Sequence, residues 1–234
     1  MTSDALGDAL KRGLHFHKLC KLNEAVSWYR AAIAISPDDA EANSLLGLAL
    51  VHSGRSEEGT SLLQRATELE PGQVPFRFNL VQGLQQTQAY DRAMAELGVI
   101  LTREPSNSLA WELAGDIARA QGDRDGAAAA WDRARQADPT ATGPALKRAT
   151  LEIEQLRFDG ALAVLDPIAT TAAANEQVYD LWCQALAGLK DWQALRATAA
   201  SWVGGHAGST AALRCLERAE FELGLRVTDR PTGD

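Results

Sequence analysis

The sequence predicts an all-α fold, a solenoid in which antiparallel helix pairs stack along the chain and a last helix closes the C-terminal end. Three features predict it. Prolines recur every 34 residues, at Pro37, Pro71, Pro105 and Pro139. A small residue precedes each proline by twelve positions, in the order Ala25, Gly59, Ala93 and Ala127. A bulky residue follows each small one by four positions, in the order Tyr29, Leu63, Leu97 and Trp131. A fixed period of roughly 20 to 50 residues indicates stacked supersecondary units.

Four full units are predicted, at residues 6–39, 40–73, 74–107 and 108–141. Each holds two stretches of about 13 residues with helical apolar periodicity, separated by turn-like segments such as "HSGRSEE". Small residues stand where two helices come close, so leucine at Gly47 or Gly115 would overpack the contact and cost about 1–3 kcal/mol. The prolines end each second helix, and the polar residues in "SPDDAEA" and "EPSNSLA" can cap the next one.

The pattern weakens in the C-terminal third, where two degenerate units are predicted at 142–171 and 172–207. The fifth unit has Pro167 inside its second helix, and the sixth reads as one residue short. A capping helix is predicted at 210–225, with Ser209 or Thr210 as its N-cap, apolar residues on one side and charge on the other. A flexible tail is predicted at 226–234.

Composition excludes several classes of function. The net charge is −8 and no basic run occurs, which argues against a nucleic-acid partner. No apolar stretch approaches the ~18 residues of a membrane span, so no membrane insertion is expected. Cys20, Cys183 and Cys215 form no CxxC pair and no disulfide framework, which favours a reducing, cytoplasmic compartment. Arginine greatly outnumbers lysine, which indicates a bacterium with a GC-rich genome.

The segment "LHFHKLCK" at residues 14–21 has the residue types of a metal site. His15 and His17 would lie about 200° apart around a helix, so they cannot reach one ion, and no metal is predicted. His17 and His52 instead fall on similar faces of neighbouring units and are expected to approach each other.

The segment "VGGHAGST" at 203–210 lacks the lysine of a phosphate-binding loop and is interpreted as a flexible connection. No catalytic motif or cofactor fingerprint occurs, so no enzyme activity and no cofactor are predicted.

The tryptophans Trp182, Trp192 and Trp202 recur every ten residues. In stacked helical units such residues belong more often to the core between helices than to a binding surface. Self-association through Trp182, Trp192 and the last helix remains an alternative.

The repeat pattern resembles the tetratricopeptide repeat family. The best unit carries Trp111, Ala114, Gly115, Ala118, Ala127, Trp131 and Pro139 at the family's spacing. The match covers residues 6–141 as four units and continues more weakly into a fifth. The resemblance implies a right-handed superhelix whose first helices line a concave groove, and a role in binding other proteins.

Projected onto this sequence, the groove runs along the first helices of units one to five and includes Ser44 and His52 in unit two. The partner-binding residues that it implies lie in units three and four. They are Phe78, Asn79, Gln82, Gln86, Glu112, Leu113, Asp116 and Arg119. Asn79, Gln82 and Gln86 share one helical face. Their amides donate and accept hydrogen bonds, so they can hold the backbone of an extended peptide without requiring a particular side chain. Phe78 and Leu113 can supply apolar pockets beside them.

Two specialised forms of the family are not matched. The clamp with which co-chaperones bind acidic chaperone tails would fall on Leu10, Leu14, Leu45, Pro75 and Asn79, which are the wrong residue types. The asparagine ladder of O-linked N-acetylglucosamine transferases would fall on Lys11, Leu45, Asn79, Leu113 and Lys147, with a single asparagine.

We therefore expect a non-enzymatic adaptor that binds a peptide segment or helix of a partner protein. One alternative is the N-terminal regulatory part of a larger transferase, of the sulfotransferase or glycosyltransferase type; Met1 and the polar last helix favour a complete protein instead. The other alternative is a self-associating assembly factor.

Overall fold

The computed structural model describes residues 2–169, 175–205 and 208–225. These ranges contain thirteen α-helices and no strand. The helices are α1 (Thr2–Lys18), α2 (Leu22–Ile35), α3 (Ala40–His52), α4 (Ser56–Leu69), α5 (Val74–Gln86), α6 (Tyr90–Arg103), α7 (Ser108–Ala120), α8 (Arg124–Ala137), α9 (Thr142–Glu154), α10 (Phe158–Ala169), α11 (Glu176–Leu189), α12 (Trp192–Gly205) and α13 (Thr210–Glu222). Odd-numbered helices are called first helices and even-numbered ones second helices. The predicted all-α helical repeat fold is confirmed.

The helices group into two compact parts that are larger than the repeats. They are called the N-terminal unit (residues 1–123, with α1 to α7) and the C-terminal unit (residues 124–234, with α8 to α13). Within each unit every helix packs on the next one along the chain. First helices also pack on each other: α1 on α3 and α3 on α5 in one unit, α9 on α11 and α11 on α13 in the other. In these four pairs, neighbouring first helices therefore lie side by side.

A left-handed turn residue ends seven first helices at a constant interval of 34 residues. These residues are Cys20, Gly54, Gln88, Gly122, Leu156, Lys190 and Gly224, with φ between 56° and 86°. Each belongs to a Schellman turn: at Gly54, for example, its N–H donates to Val51 at 3.1 Å, and the N–H of Arg55 donates to Leu50 at 2.9 Å. The backbone therefore keeps the period that side-chain types lose after the fourth unit.

This turn corrects the prediction that the sixth unit is one residue short. Lys190 stands 34 residues after Leu156, and α11 begins 34 residues after α9. The last helix keeps the register too, since α13 begins 34 residues after α11 and packs on α12 and α11. The C-terminal helix is therefore the first helix of a seventh unit without a second helix among the described residues.

Small residues allow the close helix contacts that the sequence predicts. Ala25, Ala93 and Ala127 are fully buried. A β-carbon on Gly47 would lie 2.8 Å from the carbonyl oxygen of Gly59 and 2.8 Å from Cγ of Leu63. The backbones of α3 and α4 can approach this closely only because both positions are glycine.

Side-chain caps begin several first helices, as predicted. Asp39 accepts a hydrogen bond from the N–H of Ala42 at 2.7 Å, and Asn107 accepts from Ala110 at 2.9 Å. Ser209 is the N-cap of α13 and accepts from the N–H of Ala212 at 3.3 Å. Each cap satisfies an N–H group that the helix itself cannot pair.

The C-terminal unit agrees with the sequence in part. Pro167 lies inside α10 as predicted, and Trp182, Trp192 and Trp202 pack against a buried cluster between α11, α12 and α13. Residues 203–205 of the predicted connection belong instead to α12, while residues 206–207, the junction at 170–174 and the tail 226–234 lie outside the described residues. The polar outer face expected for the last helix is interrupted, because Leu213 and Phe221 are 41% and 57% exposed.

Candidate functional site

A row of polar side chains connects the first helices α1, α3 and α5. Nε2 of His17 lies 3.0 Å from Nδ1 of His52, and Nε2 of His52 lies 3.0 Å from Nε2 of Gln82. On the same faces the amide nitrogen of Asn79 donates to Oγ of Ser44 at 2.9 Å. These five residues, called the polar row, all belong to the N-terminal unit.

The repeat itself brings two of these three pairs together. His17 and His52 are 35 positions apart, as are Ser44 and Asn79, so each partner is one position beyond the period of 34. Neighbouring first helices present similar faces, and this offset places a side chain of one helix opposite a side chain of the next. The expectation that His17 and His52 approach each other is confirmed.

The tautomers of the two histidines are coupled through the row. If Gln82 donates its amide N–H to Nε2 of His52, then neutral His52 carries its hydrogen on Nδ1 and donates to Nε2 of His17. All donors then point in one direction along the row. A hydrogen on Nε2 of His17 would face the hydrogen of His52. Consistent with this, burial first and the charge of His52 second hold the pKa of His17 below its usual value.

The three side-chain amides predicted from the sequence lie in two different environments. Asn79 and Gln82 are half-buried and hydrogen-bonded to α3, whereas Gln86 at the end of α5 is exposed. A serine hydroxyl can donate or accept, so either end of the Asn79 amide can make the bond to Ser44, and the other end can serve a partner molecule. Ser44 and His52, which the projected groove also included, thereby fix the orientation of two of the predicted partner-binding residues.

The remaining predicted residues lie on α5 and α7. Phe78 is half-buried on α5 beside Asn79. On the next first helix Glu112, Leu113, Asp116 and Arg119 are also half-buried. Glu112, Asp116 and Arg119 take part in further polar or electrostatic interactions. All eight predicted residues therefore lie on first helices of the N-terminal unit.

The described residues contain no group of three or more His, Cys, Asp or Glu that could hold a metal ion. His17 and His52 bond to each other, and Cys20 is the left-handed turn residue after α1. Within the described part of the chain, no helix is long and apolar enough to cross a membrane.

Comparison with known proteins identifies the repeats. Residues 13–54 match the family model described as "TPR repeat". The structure of pilF from Pseudomonas aeruginosa superposes with a TM-score of 0.69 at 16% identity, over 93% of this chain and 99% of that one. A tetratricopeptide repeat protein from Parabacteroides merdae gives a TM-score of 0.66 at 14% identity, over 94% and 88%. Residues 13–54 therefore carry a tetratricopeptide repeat, and the chain has the helical repeat fold of these structures.

Curated relatives match over a shorter region. The peroxisomal targeting signal receptor of Eremothecium gossypii is 33% identical over 85 residues, which are 36% of this chain and 15% of the receptor. The receptor of Saccharomyces cerevisiae is 27% identical over 96 residues, 41% of this chain and 16% of the receptor. The matched region thus spans about a sixth of these relatives.

Proposed function

We propose that this chain is a non-enzymatic interaction scaffold in the cytoplasm whose first helices α3, α5 and α7 bind a peptide segment or helix of a partner protein. Tetratricopeptide repeats generally serve as scaffolds rather than enzymes, and the curated relatives are receptors for a targeting signal. The observation that carries the proposal is the pair of amides, Asn79 and Gln82, that hydrogen bonds to α3 hold in place on one helical face.

Fixed amides favour binding because less side-chain freedom is lost when a partner arrives. Ser44 restrains Asn79, and His52 restrains Gln82. An extended peptide offers its N–H and C=O groups in regular alternation, and an amide can pair with either. Backbone recognition of this kind accepts many side-chain sequences.

The surrounding side chains set which segments bind well. Phe78 and Leu113 provide apolar contacts on two successive first helices, and Glu112, Asp116 and Arg119 provide charges of both signs on α7. Apolar contacts contribute to affinity, while matched charges select the orientation and register of the segment.

The experiment selects binders from a random peptide library displayed on phage, using the full chain. The best peptide is then titrated against wild type and Asn79→Ala plus Gln82→Ala. Loss of two hydrogen bonds worth about 1 kcal/mol each should weaken binding by at least about tenfold.

The matched control is Gln64→Ala plus Arg92→Ala. The guanidinium of Arg92 donates a hydrogen bond to Oε1 of Gln64 at 3.2 Å, which also joins successive repeats, but it connects the second helices α4 and α6. The control should leave affinity unchanged. Equal affinity of wild type and the α5 variant, or equal losses in both variants, would refute the proposed face.

Self-association is a second candidate function. Leu213 and Phe221 are both exposed on α13, eight residues apart, so the last described helix presents apolar surface on either side of Glu217. Light scattering coupled to gel filtration should then show a concentration-dependent dimer that Leu213→Ser plus Phe221→Ser converts to a monomer. A monomeric wild type at all concentrations would exclude this function.

A further inference from the structure

Two of the three cysteines meet inside the C-terminal unit. Cys183 of α11 is 1% exposed, and Cys215 of α13 is half-buried and packs against the same cluster. Both side chains therefore lie in one apolar cluster where α13 packs on α11. They are 32 residues apart in sequence and form no recognisable motif, so only the packing of α13 on α11 makes them a pair.

The two thiols have different chemical environments. Interaction with the Cys183 thiol lowers the pKa of Cys215 to about 7, and Arg218 and Arg214 also lower it, whereas burial and Asp180 oppose the shift. The same interaction, followed by burial, raises the pKa of Cys183. Of the two thiols, Cys215 therefore gives up its proton more readily, and thiolate is the reactive form of cysteine.

We propose that Cys183 and Cys215 are a redox-reactive thiol pair, which a hydroperoxide oxidises to an intramolecular disulfide between α11 and α13. The half-buried Cys215 is the attacking residue and the buried Cys183 is the resolving one. This inference does not depend on peptide binding by the N-terminal unit.

The reaction with hydrogen peroxide balances in two steps. The Cys215 thiolate attacks one peroxide oxygen, so an S–O bond forms, the O–O bond breaks, and the departing hydroxide takes up a proton to become water; Cys215 is left as sulfenic acid. Cys183 then loses its proton and attacks Sγ of Cys215. The S–S bond forms, the S–O bond breaks, and the departing hydroxide with that proton gives a second water. The two sulfurs lose two electrons, and the peroxide gains them.

The disulfide would fasten the last described first helix to the one before it. In the reduced protein α13 is held by packing on α11 and α12 and by contacts such as that of Arg218 with the ring of Trp192, 5.5 Å from its centroid. A covalent bond limits the freedom of the unfolded chain between the two cysteines, so oxidation should raise the melting temperature of the C-terminal unit.

The test treats the reduced full chain with hydrogen peroxide in slight excess. The Cys20→Ser background is used alongside wild type to exclude disulfides through the exposed Cys20. We expect an intact-mass loss of two hydrogen atoms, a non-reducing peptide map that links Cys183 to Cys215, reversal by dithiothreitol, and a melting temperature several degrees higher when oxidised.

Two further variants separate the roles of the thiols. Cys183→Ser should leave Cys215 as a sulfenic acid that dimedone traps, and Cys215→Ser should leave Cys183 unreactive. Circular dichroism checks that both variants fold; the wild-type peptide map decides the question if either does not. Peroxide-treated protein in which Cys183 and Cys215 both stay reduced, or become sulfinic acids without any link, would overturn the proposal.

Discussion

Nε2 of His17 and Nδ1 of His52 lie 3.0 Å apart, and the two rings meet edge to face with centroids 5.2 Å apart. Only one of the two facing nitrogens can carry a hydrogen in this geometry. If His17 and His52 were both protonated, two positive charges and two N–H groups would face each other. The contact between α1 and α3 therefore contains a group whose protonation opposes folding.

Acidification should weaken the fold through His17. Its pKa is below 6.5 in the folded state and close to 6.5 in the unfolded state, so the unfolded chain binds more protons as the pH falls. The free energy of unfolding should stay constant above about pH 7 and decrease from there down to the folded-state pKa. Urea unfolding between pH 5 and 8 measures this, and His17→Gln should have a flatter profile. Identical pH profiles for the two proteins would contradict the assignment.

The glycine contact between α3 and α4 should not accept a methyl group. In Gly47→Ala the β-carbon would be 2.8 Å from the backbone oxygen of Gly59, so the helices must separate at a cost of about 1–3 kcal/mol. Gly98→Ala is the matched control, since a β-carbon at this position of α6 would meet no atom within 4 Å beyond the backbone of its own helix. The control should stabilise by about 0.5–1 kcal/mol. Urea unfolding reports both values, and effects of equal sign would refute the close approach.

Gaining a glycine at the left-handed position of a Schellman turn should stabilise the protein, and losing one there should destabilise it. Leu156 has φ of 58° and its side chain is exposed, so Leu156→Gly relieves backbone strain and should stabilise by about 0.5–1 kcal/mol. Gly54→Ala places a β-carbon at φ of 86° and should destabilise by about 1 kcal/mol. Thermal unfolding of both variants checks this. A loss of stability in Leu156→Gly would show that the left-handed turn is absent there.

The hydroxyl of Tyr29 should be dispensable. The side chain is fully buried, and its oxygen has no hydrogen-bond partner among the described residues. Burial, with a smaller effect of Glu41, raises its pKa to about 12. Tyr29→Phe removes an unpaired polar group and should increase the free energy of unfolding by about 1 kcal/mol. Tyr29→Ala, which deletes the ring, should lose about 3–5 kcal/mol. A similar loss in Tyr29→Phe would mean that the hydroxyl is paired.

The fold could be predicted from the sequence because packing constrains side-chain type at the helix contacts. Ala25 and Tyr29 recur in kind every 34 residues, since a larger or smaller residue would open the contact. The left-handed turn residues could not be predicted from residue type, because exposed residues as different as Gln88, Leu156 and Lys190 adopt this conformation. The side-chain types of the sixth repeat therefore gave a wrong repeat length, one residue short, whereas the backbone hydrogen bonds of its Schellman turn keep the interval of 34 residues.

The candidate site was predictable only as a helical face. Sequence spacing placed Asn79 and Gln82 on one side of α5. It could not show that Ser44 and His52 bond to them, because such contacts depend on the distance and rotation between neighbouring first helices. The thiol pair of Cys183 and Cys215 depends in the same way on how α13 packs against α11.

Hydrogen–deuterium exchange of the full chain with and without the selected phage-display peptide tests the proposed binding face most directly. Ligand binding slows exchange where it stabilises local structure. The account predicts slower exchange in α3, α5 and α7, with α4 and α6 unchanged, and loss of this protection in Asn79→Ala plus Gln82→Ala. Protection confined to second helices or to α11–α13 would contradict it.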